Sequence, residues 1–407
     1  MASLKPFMQE DPTRSVALRR RYAGAIRKRF RRIRGLIRET ILENRALNLH
    51  RLTGTPPPFL AGNQEDDGEG EDEGVSITAG AAASSAAGAS ASFAFSGSGE
   101  AAEDFSYATR DDLDDEFINW LKRQQDIEVL EATRQGGPDS LIENRSRWEQ
   151  AYVRAAYGKG MKQADTKMAA LGSPPSDAGL DAVEAQTFNR PIHQTKLRQL
   201  YKRNFEALQT VKDVGTEDAA KIFREELTKG LAKGKRGPEI AEDIVERVNS
   251  GYGQITKHKA NLVARTEVTN AHAQGTLNRF QQAGIEEVQG RAELITAGDT
   301  RVCPRCLALE GQKFKLREAR NIIPVHPMCR CSWIPITGLS QEREQARQFA
   351  RQRFDRIGMK PEQINPMNPN DSATKEALSR FGKVRRWEKG DRNEEPTFDT
   401  FNPATTL

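Results

Sequence analysis

CPRCLALEGQKFKLREARNIIPVHPMCRC, residues 303–331, holds all four cysteines of the chain. Cys303 and Cys306 form a CPRC knuckle, and Cys329 and Cys331 close the stretch in HPMCRC, with His326 three positions before Cys329. Two thiolates separated by two residues can turn back on one metal ion, because the tight turn between them aims both sulfurs to the same side. A second His/Cys knuckle then completes a tetrahedron. The spacing predicts a structural zinc site drawn from Cys303, Cys306, His326, Cys329 and Cys331. Five donors compete for four places: Cys303 and Cys306 lead, and the other three share two positions that spacing alone does not divide. A catalytic zinc keeps one position open beside a general base, whereas the supply of sulfur here fills the shell. One or two disulfides, a thiol switch, or inert core thiols are the competing readings of the same cysteines.

The flanks set this stretch in a small α+β module. A helix is expected from Thr256 to Ala283, capped by Gly284, with Leu262, Thr266, Thr269, Ala273, Leu277 and Phe280 on its inner stripe. Beyond it the period changes from helical to alternating. Val288, Ala292 and Leu294 mark one short strand, Phe314 and Leu316 a second, and Trp333, Ile334 and Ile336 a third. Three short strands bury little by themselves, so metal is expected to supply stabilisation, of order 10 kcal/mol in small zinc folds.

Upstream the chain reads as mainly α. Tyr22, Ile26, Phe30, Ile33, Ile37 and Ile41 recur at intervals of three and four within a helix over 14–50. Arg19, Arg20, Arg21, Arg27, Lys28, Arg29, Arg31, Arg32, Arg34 and Arg38 crowd the rest of its circumference. That surface suits nucleic-acid phosphates, an acidic protein partner, or plain solvation. It lacks aromatic interleaving, so DNA would be held through phosphates and without sequence choice. Residues 53–110 shift to an acidic run (QEDDGEGEDE, 64–73) and then to Ala, Ser and Gly. They read as a disordered linker in which Phe93 and Phe95 stand alone. Helical pattern resumes with Phe117, Trp120 and Leu121, breaks at Gly136-Gly137-Pro138, and returns over 140–168. After a loop at 172–179 come helices over 192–211, 216–231 and 238–248, the last opening on Pro238. The resulting division is a basic helix at 1–52, the linker at 53–110, a helical domain at 111–250, the Cys/His module at 251–338, and polar helices and tail at 339–407.

Composition bounds function further. A hydrophobic content of 37% and a mean hydropathy of −0.70 are low for a compact enzyme of 407 residues, and no phosphate loop, nucleotide fingerprint or paired catalytic signature is present. The net charge of +5 is the partial cancellation of opposed blocks. No run of about 18 apolar residues predicts a membrane span, and no secretory signal is read at the N-terminus. Few cysteines and no export signal fit a reducing cytoplasm, where thiolates stay available for metal.

ARTEVTNAHAQG at 264–275, the Gly284-Ile285 break, DTRVCPRC at 299–306, Gly311, Phe314 and IPVHPMCRC at 323–331 together resemble the Mu F-like head morphogenesis family of tailed bacteriophages. The matching positions are Arg265, Thr266, Glu267, Asp299, Cys303, Cys306, Gly311, Pro324, His326, Pro327, Cys329, Arg330 and Cys331. The resemblance implies a minor capsid component found in the virion, at the head interior or portal vertex, and in host cytoplasm during assembly. It implies the portal protein and other head proteins as partners, and a role in head assembly, DNA packaging or genome delivery. It does not reach residues 1–110, so double-stranded DNA as a partner of the basic helix rests on the arginine pattern alone. The lack of a catalytic constellation and the short polar tail after the motif predict no enzyme activity. The contrasting reading is a zinc-dependent nuclease or hydrolase acting on DNA, with Glu267, Asp299 or Glu310 as base. The expected role of Arg265, Thr266 and Glu267 is polar docking of their helix on the sheet. His258 and His272, about 21 Å apart along one helix, cannot share an ion.

Overall fold

A computed structural model describes residues 11–43, 47, 49, 109–131, 147–169, 188, 190–283, 291–336, 341–390 and 396–398. The expectations for the linker at 53–108, Phe93 and Phe95, the 136–138 break, the 172–179 loop, the Gly284 cap and Val288 lie outside these residues. The described chain is mainly helical with a small three-stranded sheet. It forms two compact units, one drawn from Met1–Ile33, Lys122–Thr216 and Tyr252–Leu407, the other from Arg34–Leu121 and Glu217–Gly251.

Helix α1, Val16–Arg38, runs into a π-type turn over Glu39–Glu43. Its predicted stripe is buried throughout, from Tyr22 to Ile41. In the first unit Tyr22 stacks on Tyr152 with ring centroids 4.7 Å apart and donates its hydroxyl to Asn204 Oδ1 at 2.7 Å. Phe30 meets the Tyr252 ring edge-on. Helix α2, Arg110–Glu128, and α3, Trp148–Ala169, follow. In the second unit Phe117 of α2 stacks on Phe223 at 4.3 Å.

Two pairs of helices expected as separate are continuous. Helix α4 spans Pro191–Ala232 and α5 spans Gly237–Gln282. Glycines between the expected segments serve as points of close approach. A Cβ on Gly215 would sit 2.9 Å from the Tyr252 ring, and one on Gly251 would sit 2.5 Å from Ile222 Cδ1. A helical glycine costs about 1 kcal/mol in propensity, which packing of this kind overrides. Between α4 and α5 the chain turns through Gly234 at φ +65°, where the Lys235 amide donates to the Gly230 carbonyl at 3.0 Å. That six-to-one bond satisfies an orphaned helix-end carbonyl.

Helices α3 and α5 cross at a reciprocal glycine contact. A Cβ on Gly160 would lie 2.1 Å from the His272 carbonyl oxygen, and one on Gly275 would lie 2.2 Å from the Tyr157 carbonyl oxygen. Thr276 Oγ1 fastens the crossing by donating to the Gly160 carbonyl at 3.1 Å.

The sheet follows α5. Strands β1 (Arg291–Ile295), β2 (Lys313–Lys315) and β3 (Ser332–Pro335) lie in the order β2-β1-β3, all antiparallel, with Ala292 opposite Phe314 and Leu294 opposite Trp333. Short helices α6 (Pro304–Leu307) and α7 (Leu316–Ala319) interrupt the connection. Leu316, expected in a strand, therefore opens a helix, and its side chain joins the core. Helix α8, Gln341–Arg356, and α9, Ser372–Glu388, complete the described fold.

The sheet is better packed than its short strands suggest. Leu277 and Phe280 of α5, Ala164 and Met168 of α3, Trp333 of β3, and Phe354, Ile357, Phe381 and Val384 from the C-terminal helices share one buried cluster with Cys306, Cys329 and Cys331. The core of the 251–338 module thus continues into the region read as polar helices and tail, because α9 lays its apolar face on the cysteine-bearing α6.

Candidate metal centre

Cys303 stands at the start of α6, whose first turn carries Cys306 inward. The Cys306 and Leu307 amides both donate to the Cys303 carbonyl, at 3.1 and 3.0 Å, so the knuckle is a tight turn flowing into a helix. The second knuckle is held by α5: the Met328 amide donates to Thr266 Oγ1 at 3.2 Å, and Thr269 Oγ1 donates to the Cys329 carbonyl at 3.3 Å. Arg305, itself buried, donates to the carbonyls of Val325 at 2.9 Å and Pro366 at 2.7 Å. The ligand-bearing loops are therefore fixed from several sides.

All five predicted donors come together. His326 Nε2 lies 3.2 Å from Cys303 Sγ and 3.1 Å from Cys306 Sγ, and Cys306 Sγ lies 3.9 Å from Cys329 Sγ. The donors form two overlapping triplets, Cys303 with Cys306 and His326, and Cys306 with Cys329 and Cys331, each with its ligand atoms within 4.8 Å of one another. Cys306 belongs to both. A tetrahedral zinc with bonds of about 2.3 Å to sulfur sets sulfur–sulfur edges of about 3.8 Å and sulfur–nitrogen edges of about 3.5 Å, close to the observed separations. All four cysteines are free thiols, three of them buried and Cys303 half-buried.

The electrostatics also call for a cation. Donation from the Cys306 thiol, followed by the field of His326, holds Cys303 at about 4 against the cost of burial. Cys306, the donor in that pair, is pushed well above the ordinary thiol range. Cys329 is held well below it by donation from Cys306 and Cys331. Cys331 is pushed well above it: contact with Cys306 works the other way, but donation to Cys329 and burial outweigh it. Burial alone would lower His326, yet the Cys303 thiolate beside it raises it to about 9. Protons are thus divided so that neighbouring sulfurs do not ionise together, as for any packed group of like acids. A divalent ion removes that conflict by accepting all the sulfurs as thiolates. His326 is oriented for this role, since its Nδ1–H donates to the Pro327 carbonyl at 2.7 Å and turns the Nε2 lone pair toward the sulfurs.

Asp299, Glu267 and Glu310, the carboxylates named as candidate bases, are engaged by other groups. Asp299 receives a two-pronged contact from Arg330, with both N–O distances 2.5 Å, and a further one from Arg301. Burial works to raise its pKa, but these partners hold it at about 2. Glu267 points away to Arg203, 3.2 Å away, and burial raises its pKa despite that partner. Glu310 accepts from the Thr296 amide at 2.8 Å and is raised by burial to about 7. His272 is fully buried with neither ring nitrogen bonded among the described residues. Lys167 was not singled out in the sequence. Completely buried, it donates to Ser332 Oγ at 3.0 Å and the Trp333 carbonyl at 2.7 Å, tying α3 to β3. A lysine on the stripe of Ala164 and Met168 was the only available signal.

The basic set on α1 divides. Arg20, Arg21, Lys28, Arg31, Arg32 and Arg38 are exposed, and Arg27, Arg29 and Arg34 are half-buried. Arg19 leaves the open face altogether: it is buried and paired with Asp11 at 2.6 Å. Arg29 lies over the Trp148 ring and pairs with Glu131, while Arg32 meets Glu128 at 3.3 Å.

Residues 221–334 match the family model for Phage Mu protein F like protein. Over this stretch the chain is similar to the Mu F-like family of phage head morphogenesis proteins. No curated protein and no solved structure matches the chain. The Mu F-like match opens inside α4 and ends in β3, so it takes in every donor of the metal cluster. Helices α8 and α9, which complete the core around that cluster, lie beyond it. Among the described residues no helix is long and apolar enough to cross a membrane.

Proposed function

We propose that this protein is a minor head protein of a tailed bacteriophage that works at the portal vertex in head assembly, DNA packaging or genome delivery. The observation that carries the proposal is the likeness to the Mu F-like family over a stretch whose five sulfur and imidazole donors converge. In this reading zinc, held by four of Cys303, Cys306, His326, Cys329 and Cys331, is structural; when bound it joins the two knuckles and leaves the domain a rigid contact surface. Partners are the portal protein and other head proteins. Co-purification with the portal and mass spectrometry of purified virions test this directly, and absence from both would overturn it. Elemental analysis of the purified chain should find about one zinc, lost in a Cys303→Ser/Cys306→Ser variant.

The open face of α1 supports a second contact, with the phosphates of double-stranded DNA. No acidic residue interrupts Val16–Arg38, and Arg20, Arg21, Lys28 and Arg31 are exposed. Because the opposite face of α1 is core, charge reversal is a cleaner test than deletion. Arg20→Glu/Arg31→Glu should weaken binding for all sequences alike and lower the log–log salt slope by about 2. Binding that ignores salt, or survives the reversal, would place the contact elsewhere.

A further inference from the structure

Asp299 and Arg330 belong to the two different loops that bring the metal donors together. Asp299 opens the turn into the first knuckle: its carbonyl accepts the Val302 amide at 3.1 Å, and its Oδ1 accepts the Arg301 amide at 3.0 Å. Cys303 directly follows Val302. Arg330 is the single residue between Cys329 and Cys331, so its backbone fixes the relative aim of both sulfurs. The Cys331 amide points back to Cys329 Sγ at 3.5 Å, the kind of donor that stabilises a thiolate ligand. Across the gap the Arg330 guanidinium meets the Asp299 carboxylate with two parallel bonds, Nη1 to Oδ2 and Nη2 to Oδ1. The contact is largely shielded, with side-chain exposures of 11% and 22%. A planar fork on a carboxylate fixes distance and angle together, which a lysine cannot do.

We infer that the Asp299–Arg330 pair is a clasp that sets the spacing of the two knuckles, making both residues positioning residues that govern how tightly the cluster retains metal. The inference rests on the metal reading of the cluster. Thr266, Thr269 and Arg305 anchor the same loops to the body of the fold, so breaking the clasp should loosen the donors while leaving the fold standing. Outer partners of this kind commonly change metal affinity by about 10- to 100-fold.

The test uses the full chain loaded with zinc and measures transfer to a chromogenic chelator. Asp299→Asn, Arg330→Gln and Arg330→Lys are compared with the unmodified chain and with the exchanged pair Asp299→Arg/Arg330→Asp. Thermal unfolding is followed in parallel. Each single variant should show about 10- to 100-fold weaker retention, and the exchanged pair should recover part of the loss. With cobalt(II) in place of zinc, the sulfur-to-metal charge-transfer band should weaken or shift in the single variants, which a purely structural role would not produce. If a variant at Asp299 fails to fold, Arg330→Lys decides, since it keeps the charge and loses only the fork. Retention equal to that of the unmodified chain in all single variants would overturn the clasp with the metal reading intact. An unmodified chain that takes up neither zinc nor cobalt would overturn both.

Discussion

Cys306 is the residue on which the donor cluster turns, because it is common to both triplets. Cys306→Ser should reduce zinc to background by elemental analysis. After Cys331→Ser four donors remain, so the ion should still be taken up, with weaker retention. Two buried histidines give a separate pH signature. Burial lowers His193 to about 4, and its ring bonds with Tyr157 at 2.6 Å and with Gln282 at 2.5 Å. Burial likewise lowers His272 to about 3. Both stay neutral in the folded chain at pH values where the unfolded chain, near 6.5, already binds protons. Their contribution is present above pH 6.5 and is lost as pH falls toward 4 and then 3. Where both act, the slope approaches about 2.7 kcal/mol per pH unit. Denaturant midpoints between pH 7 and 4 should show the decline, reduced in His193→Gln, where the group no longer titrates. The cysteines and His326 were legible as one cluster from spacing alone. The burial of His272 and the anchoring of Lys167 were not, because both depend on what another element places against them.

At the scale of elements, glycines with the same helical setting play opposite parts. Gly160 and Gly275 each face a backbone carbonyl across the α3/α5 crossing, and neither carbonyl can swing aside as a side-chain end would. Gly160→Ala or Gly275→Ala should cost about 3 kcal/mol, at the upper end of overpacking penalties. Gly24 on α1 faces open space, so Gly24→Ala should stabilise the chain by about 0.5–1 kcal/mol through helix propensity. Urea unfolding of the three variants checks both signs. Periodicity marked the apolar stripes of α1, α2 and α5 because burial repeats with the helical turn. It did not join the segments across Gly215 and Gly251, where close packing outweighs the low helix propensity of glycine.

For the whole molecule, the decisive fact is that the Mu F-like stretch does not complete its own core. Phe354, Ile357, Phe381 and Val384 close over the cluster that contains three of the cysteines. A chain ending at residue 338 should therefore expose this core and lose protease resistance. Phe381→Ala in the full chain should cost about 3 kcal/mol, read from the shift in unfolding midpoint. The same packing predicts that chelation leaves helical circular dichroism nearly unchanged while protease sensitivity rises around 303–331, unlike small zinc folds that unfold outright without metal. By itself the sequence determined the mainly helical class, the three short strands, the clustering of the four cysteines with His326 and the likeness to the Mu F-like family, since these depend on short-range spacing that survives in one dimension. Tertiary structure alone decided that α4 and α5 run unbroken, that Arg19 leaves the basic face, and that the C-terminal helices belong to the cysteine-bearing core. Each of these depends on contacts between residues far apart in the chain, whose strength exceeds the local preferences that sequence patterns record.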